Sequence, residues 1–114
     1  MAEKDSSHSF TAYYKRATSP LVVLRLLEEK AMYGYEISQA MKQKSGGQFT
    51  ISVLYPILYR LEEQGYLEEA HTEVINNRVR SYYAITDAGR QYLVQARQEY
   101  REMHAAFTAI MGDE

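Results

Sequence analysis

The stretch ISVLYPILYRLEEQGYL, residues 51–67, holds the pattern that decides the fold. At about 100° per residue, its aliphatic side chains fall on one side of a helix, which predicts packing against a core. Ser52 is a candidate N-cap and Gly65 a candidate residue just past the C-terminus, so the helix has about 12 residues. The predicted buried residues are Leu54, Ile57, Leu58 and Leu61.

The rest of this helix carries hydroxyl groups, aromatic rings and a guanidinium group. Such groups donate or accept hydrogen bonds and stack on planar partners. We therefore predict that this side of the helix contacts a partner, although Tyr55 flanks the aliphatic side and could equally pack its ring on the domain. The residues are Ser52, Tyr55, Pro56, Tyr59 and Arg60.

The segments before residue 51 predict three helices. A short first helix has an apolar stripe formed by Phe10, Tyr13, Tyr14 and Ala17. Pro20 suits the first turn of a second helix, whose body LVVLRLLEEK is apolar almost all round and belongs to the core. A third helix over YGYEISQAMKQK, residues 33–44, has a basic last turn and ends at the Gly46-Gly47 pair.

After Gly65 the sequence alternates with a period of two, which predicts a β-hairpin. Asn76-Asn77 is the expected tight turn, because Asn tolerates positive φ. Arg78 and Arg80 then share one face near the tip with Tyr82 and Ala84. The other face holds Val79, Ser81, Tyr83 and Ile85, and we expect Tyr83 to be a core residue.

The last segment predicts one long helix. Thr86 is the expected N-cap, and apolar residues then recur at steps of four and three, which is a heptad seam. A helix of about 25 residues is longer than so small a domain can bury, so we expect a partner helix. We divide the chain into residues 1–86 and a dimerisation helix at 87–114. The seam consists of Gly89, Leu93, Ala96, Tyr100, Met103, Phe107 and Ile110.

Length and composition exclude several functions. A chain of 114 residues supports one compact domain, and the absence of cysteine removes disulfides, thiolate catalysis and zinc-thiolate sites. The three histidines lie far apart, and no phosphate-binding loop or nucleophile elbow is present. No apolar run or signal peptide indicates a membrane. We expect a cytoplasmic protein that is not an enzyme and has no cofactor or metal.

The order of the predicted elements, helices followed by a hairpin, is typical of a winged helix-turn-helix in the α+β class, mostly α. The segments YGYEI, SVLYPILYRLEEQGYL and RSYYAITDAGRQYL occur in that order between about residues 20 and 95. Together they resemble the PadR family of transcriptional regulators. The single C-terminal helix is similar to the short-tailed branch of that family.

The resemblance implies a homodimeric repressor that binds double-stranded DNA at a pseudo-palindromic operator. The C-terminal helix would form the dimer through Leu93, Ala96, Tyr100, Met103, Phe107 and Ile110. The recognition helix, both ends of the preceding helix and the hairpin would contact DNA. The candidate DNA-binding residues are Tyr35, Lys42, Lys44, Ser52, Tyr55, Pro56, Tyr59, Arg60, Arg78 and Arg80.

The resemblance also implies a small-molecule effector that lowers operator affinity. Some branches of the family stack an aromatic ligand between tryptophans, but this chain contains none. An aromatic cleft between the first and last helices could instead be lined by Tyr13, Tyr14, Tyr92, Tyr100 and Phe107, although each ring could simply be interface core. An alternative function is a dimeric protein-interaction module without direct DNA binding, which the pI of about 5.9 would suit.

Overall fold

A computed structural model describes residues 8–50 and 54–112. The predicted class, α+β and mostly helical, is confirmed. Ser52, the predicted N-cap, lies outside the described residues. In chain order the elements are α1 (Phe10–Leu27), β1 (Met32–Tyr33), α2 (Gly34–Lys44), α3 (Leu54–Glu63), β2 (Leu67–Ile75), β3 (Arg78–Ile85) and α4 (Asp87–Met111).

The two helices predicted on either side of Pro20 are a single helix, so that prediction was wrong. In α1 the Ser9 hydroxyl caps the N-terminus by accepting from the Ala12 N–H at 3.0 Å, and Pro20 lies inside the helix. An interior proline costs about 3 kcal/mol. Burial of each aliphatic side chain contributes about 1.5–3 kcal/mol, so the four buried residues that follow Pro20 offset this cost. They are Val23, Leu24, Leu26 and Leu27.

The core is formed by one face of each helix and the inner face of the sheet. The predicted anchors Leu54, Leu58 and Leu61 of α3 are buried, while Ile57 is half-buried against them. Tyr83 is 4% exposed, which confirms its assignment to the core. The other buried hydrophobic residues include Ile37, Met41, Leu67, Ile85 and Leu93.

The hairpin is confirmed and belongs to a three-stranded antiparallel sheet in the order β1-β3-β2. Asn76 and Asn77 have φ of 53° and 62°, as a tight turn with two left-handed residues requires. Strand β1 was not predicted, because its two residues are too few to show a period of two. It places Tyr33 opposite Tyr82 on β3.

The start of α4 is fixed to the turn that follows α3. The Thr86 hydroxyl donates to the Gly65 carbonyl at 2.6 Å and accepts from the Gly89 N–H at 3.0 Å, which confirms Thr86 as the N-cap. At Gly89 the backbones approach so closely that a Cβ would overlap the Tyr66 carbonyl oxygen and lie 2.8 Å from Ile85 Cγ1. The first turn of α4 therefore belongs to the domain, and its direction is set there.

We predict that Gly89→Ala lowers the free energy of unfolding by about 1–3 kcal/mol. The added methyl group would overlap the Tyr66 carbonyl, so α4 and the turn after α3 would have to move apart. Gln91→Ala is the matched control, since Gln91 is exposed on the same helix and its replacement should change stability by less than about 0.5 kcal/mol. Urea denaturation measures both. Equal midpoints for the two variants would show that the close approach at Gly89 does not constrain α4.

Candidate nucleic-acid interface

The outer side of α3 presents a pair of tyrosines. Tyr55 and Tyr59 are 48% and 57% exposed, and their ring centroids lie 5.9 Å apart. Pro56 beside them is also exposed. The helix is therefore anchored by its aliphatic side and displays hydroxyls and rings on the other, as its sequence predicts.

Tyr55 is positioned by α2. A Cβ built on Gly34 would lie 2.5 Å from the Tyr55 hydroxyl oxygen and 2.9 Å from its Cζ. The ring therefore occupies the space that any side chain at the first residue of α2 would need. This contact gives a physical reason for glycine between Tyr33 and Tyr35, and it packs the end of the Tyr55 side chain against the start of α2.

A row of rings, which we call the aromatic strip, runs from α2 onto the hairpin. It consists of Tyr35, Tyr33, Tyr82 and His71. Successive centroids are 6.3, 5.3 and 4.4 Å apart, and His71 stacks on Tyr82 with only 10° between the ring planes. Residue His71 was missed by the sequence analysis, because it follows an irregularity in β2 between Glu69 and His71 that changes which face the strand presents.

The two hairpin arginines have different surroundings. The Arg80 guanidinium carbon lies 4.5 Å from the centroid of the Tyr33 ring, so this half-buried side chain is held on the aromatic strip by a cation–π contact. Arg78 is exposed beside the turn and pairs with Ile75 in the strand register. The positive charge of Arg80 is therefore held in place by the Tyr33 ring. The positive charge of Arg78 is exposed to solvent at the tip of the hairpin.

Two tyrosines at or beneath this surface, Tyr82 and Tyr83, have a raised hydroxyl pKa and remain protonated at neutral pH. Burial raises the pKa of Tyr83 to about 12, with smaller contributions from Tyr59 and Glu62. Partial burial also raises the pKa of Tyr82, and its hydroxyl donates to Glu73 at 3.1 Å. These groups are neutral, so the positive charge of the surface comes from arginine and lysine.

Two of the predicted DNA-binding residues point elsewhere. Lys44 pairs with Glu29 on the far side of α2, with 3.1 Å between Nζ and the carboxylate oxygen, and it lines a groove against α1 and α4. Arg60 faces α1 and lines a separate small pocket. Lys42 is exposed near the end of α2. The arrangement that remains together is the tyrosine pair of α3, the aromatic strip and the hairpin arginines.

Comparison with known proteins identifies the family of the chain that carries this arrangement. The model of the PadR-like family of transcriptional regulators matches residues 23–95. The chain belongs to the PadR family. It is 30% identical over 90 residues to a transcriptional regulator of Mycobacterium tuberculosis, covering 79% of this chain and 82% of the relative. An uncharacterized protein of Lysinibacillus sphaericus is 37% identical over 92 residues, covering 79% of this chain and 84% of that protein.

Solved structures show the same fold. A transcriptional regulator from Clostridium thermocellum superposes with a TM-score of 0.80 at 28% identity, covering 88% of this chain and 99% of that one. A PadR family regulator from Eggerthella lenta gives 0.83 at 24% identity, covering 96% of each chain. This PadR-family chain is therefore a DNA-binding transcriptional regulator with a winged-helix fold, and it is not an enzyme.

A groove of about 540 Å³ lies between α1 and α4 of the regulator. Tyr14 and Tyr100 are among its lining residues, and their mutual hydrogen bond, with partial burial, raises the pKa of Tyr14. The other predicted effector residues are not in this groove: Tyr13 contacts His8, Tyr92 stacks on Tyr66 at 4.3 Å, and Phe107 is exposed farther along α4. Within a single chain, only two of the five rings predicted for the effector cleft, Tyr14 and Tyr100, therefore line this groove.

The heptad seam of α4 divides into two parts. Gly89 and Leu93 are buried in the chain's own core, and Ala96 is half-buried beside it. Beyond Ala96 the apolar residues of the seam are largely exposed, although Tyr100 also contacts Tyr14 across the groove. The exposed residues of the seam are Tyr100, Met103, Phe107 and Ile110, from 49% to 86% exposed.

Two other kinds of feature are absent from the described ranges, residues 8–50 and 54–112. Those residues include no helix that could cross a membrane. They also include no group of three potential metal-ligating side chains.

The contact between Tyr55 and Gly34 predicts a non-additive effect on stability. Gly34→Ala should lower the free energy of unfolding by about 1–3 kcal/mol in the natural chain, because the methyl group displaces the Tyr55 ring. In a Tyr55→Ala background the same change should cost less than about 0.5 kcal/mol, since the ring is gone and alanine favours a helix over glycine. Chemical denaturation measures both losses in free energy of unfolding. Equal losses in the two backgrounds would show that the Tyr55 ring does not occupy the space beside Gly34.

Proposed function

We propose that this regulator is a homodimeric, sequence-specific repressor that acts in the cytoplasm and releases its operator when a small aromatic molecule binds. The observation that carries the proposal is the continuous surface formed by the outer side of α3, the aromatic strip and the hairpin arginines, in a family of DNA-binding regulators. The DNA-binding residues and the dimer described below are parts of the same proposal.

In the proposed complex α3 enters the major groove. The Tyr59 hydroxyl faces base edges, together with Ser52 from the segment outside the described residues, and the exposed part of the Tyr55 ring lies beside them. Pro56 and Tyr35 contact the edge of the groove. Arg78 and Arg80 lie along the sugar-phosphate backbone, where a guanidinium group binds phosphate well. Lys42 supplies a further positive charge.

The proposed dimer is held by the exposed part of the seam on α4. The apolar stripe formed by these four residues, on a helix that leaves its own domain, is buried effectively by the same stripe of a second copy. A two-fold dimer places two copies of α3 in successive major grooves. The operator is then a pseudo-palindrome with half-sites about 34 Å apart, or a multiple of that distance.

The proposed effector site is the groove between α1 and α4. Its apolar lining, with the rings of Tyr14 and Tyr100, suits an aromatic molecule, and its position beside the seam links occupancy to the dimer geometry. Because the exposed part of the seam lies on α4 beyond the segment that is fixed at Gly89, a ligand that changes the angle between α1 and this part of α4 changes the spacing of the two recognition helices. The ligand thereby favours dimers that no longer match the operator.

The second candidate, a winged-helix module that binds protein instead of DNA, is favoured by the net charge of −2 and by acidic residues on β2 such as Glu68, Glu69 and Glu73. The two functions differ in their dependence on salt. Phosphate contacts release counterions, so DNA affinity falls steeply as salt rises, whereas docking of a protein has no such fixed slope.

We predict that Arg78→Ala weakens binding to operator and to random duplex by similar factors. It should also reduce the slope of log affinity against log salt by about one unit per lost contact in each subunit. Arg90→Ala is the matched control for charge, since Arg90 pairs with Asp87 on α4. If Arg78→Ala affects only the operator, then the hairpin reads bases and its assignment to phosphate is wrong.

For the recognition helix we predict the opposite selectivity. Ser52→Ala or Tyr59→Ala should weaken operator binding by about 1–3 kcal/mol for each lost base contact and leave random duplex unaffected. Fluorescence anisotropy with both duplexes measures the difference. Equal losses on the two duplexes would place these residues on phosphate rather than on bases.

Disruption of the seam should dissociate the dimer. Phe107→Glu combined with Ile110→Glu places charges against each other across the proposed interface, so the variant should be monomeric at micromolar concentration by light scattering. Gln98→Glu adds a negative charge to the exposed surface of the same helix away from the seam and should leave the mass unchanged. A natural chain that is already monomeric at this concentration would contradict the proposed dimer.

A further inference from the structure

The aromatic strip ends on β2 in a histidine that lies beside a glutamate. His71 follows the irregularity in β2 and lies opposite Tyr82 in the strand register, and Glu73 lies opposite Arg80. Nε2 of His71 is 3.6 Å from Oε1 of Glu73, which is close enough for a charge interaction. The other carboxylate oxygen, Oε2, accepts from the Tyr82 hydroxyl at 3.1 Å. An imidazole that is half exposed is therefore held on the same end of the hairpin as Arg80.

The contacts of this imidazole fix the ring and leave one of its nitrogens available. The ring stacks on Tyr82 with 4.4 Å between centroids and 10° between planes. Because Nε2 faces a carboxylate, the neutral ring carries its hydrogen on Nε2. Nδ1 has no hydrogen-bond partner among residues 8–50 and 54–112. Nδ1 is thus an acceptor in the neutral ring, and it becomes a donor when the ring is protonated.

The charges around His71 decide what protonation changes. The charged and titratable groups that face His71, or face the Tyr82 ring on which it stacks, are Glu73 on β2, Tyr82 and Arg80 on β3, Tyr33 on β1 and Glu36 on α2. Glu36 also pairs with Lys30, with 3.6 Å between the carboxylate oxygen and Nζ. When the imidazole is neutral, the charge of Glu73 offsets that of Arg80 at this end of the hairpin. The imidazolium gives the same three side chains a net positive charge.

We propose that His71 is a DNA-binding residue that donates from Nδ1 to a backbone phosphate and takes up a proton when DNA binds. A phosphate oxygen would meet a lone pair on the neutral ring, whereas it meets an N–H donor on the imidazolium. The added proton comes from solvent and is placed on Nδ1. The proposal rests on the proposed function, which places the aromatic strip against DNA.

The direction of the pH dependence follows from this proton uptake. A histidine side chain ordinarily changes charge between about pH 5 and 8. The DNA-bound state holds more protons than the free state, so affinity rises as pH falls through this range. Backbone phosphates remain ionised throughout the range, so the change in charge belongs to the protein.

The test is the affinity of the full-length protein for random duplex at about pH 8 and about pH 6, at constant ionic strength, by fluorescence anisotropy. The natural chain should bind about threefold to tenfold more tightly per subunit at the lower pH, since it gains one charge-assisted contact. His71→Gln should lose this gain and match the natural chain at the higher pH, because its carboxamide is neutral. His71→Arg should bind tightly at both, because a guanidinium group stays charged. His104→Gln is the matched control and should keep the gain, since His104 lies on α4 against Tyr100.

Salt dependence identifies the group that His71 contacts. In the natural chain the slope of log affinity against log salt should be steeper at the lower pH by up to about one unit per subunit, and in His71→Gln it should be the same at both. Circular dichroism confirms that each variant is folded at both pH values. The proposal is overturned by a natural chain that gains no affinity at the lower pH, by a gain that persists in His71→Gln, or by a slope that does not change with pH. If Arg78→Ala still weakens both duplexes in that case, the proposed DNA surface stands without His71, whereas a chain that binds no duplex at either pH overturns the proposed function as well.

Discussion

The contact between the Tyr55 ring and Gly34 is the constraint on which the arrangement of the surface depends. Because the end of the ring occupies the space of an absent side chain, α3 packs closely on the start of α2 where both reach solvent. Tyr33, the residue before Gly34, caps α2 and also pairs with Tyr82 across the sheet. One close approach therefore connects α3 to the strip of rings on the hairpin.

A second constraint, at the start of α4, connects this surface to the rest of the molecule. Gly89 lies against the Tyr66 carbonyl and Leu93 is buried in the core, so the first two turns of α4 move with the domain. Farther along, the helix presents an apolar stripe that the described chain leaves exposed. The same helix is thus rigidly attached at one end and available to a partner at the other, which is what transmission of a signal between subunits requires.

The sequence predicted those parts of the fold that a periodic pattern or a special backbone conformation encodes. The aliphatic face of α3, the Asn76-Asn77 turn, the Thr86 cap and the length of α4 are of this kind. The continuity of α1 through Pro20 was not predictable locally, because tertiary burial of the residues after it outweighs the intrinsic cost of the proline. Strand β1 exists only through its pairing with β3, so its own two residues carry no signal.

The sequence predicted which residues of the candidate site are exposed. It predicted less well which of them lie next to one another. The exposed tyrosines of α3 and the hairpin arginines follow from periodicity, whereas the placement of Lys44 beside Glu29 depends on how α2 packs on α1. Likewise the five rings proposed as one cleft are separated, since Tyr92 stacks on Tyr66 and lines a different pocket from Tyr14. Contacts between distant segments are set by packing that no local pattern specifies.

If the outer side of α3 and the aromatic strip together form the DNA-binding surface, DNA must perturb both of them. This is measured by amide shift mapping of the full-length protein, during titration with an operator duplex selected from a random pool. We expect saturable changes along α3, at Tyr33 and at Arg80, with the far end of α4 unaffected. Saturable changes confined to α4 and the groove beside it, or no saturable change with any selected duplex, would contradict it.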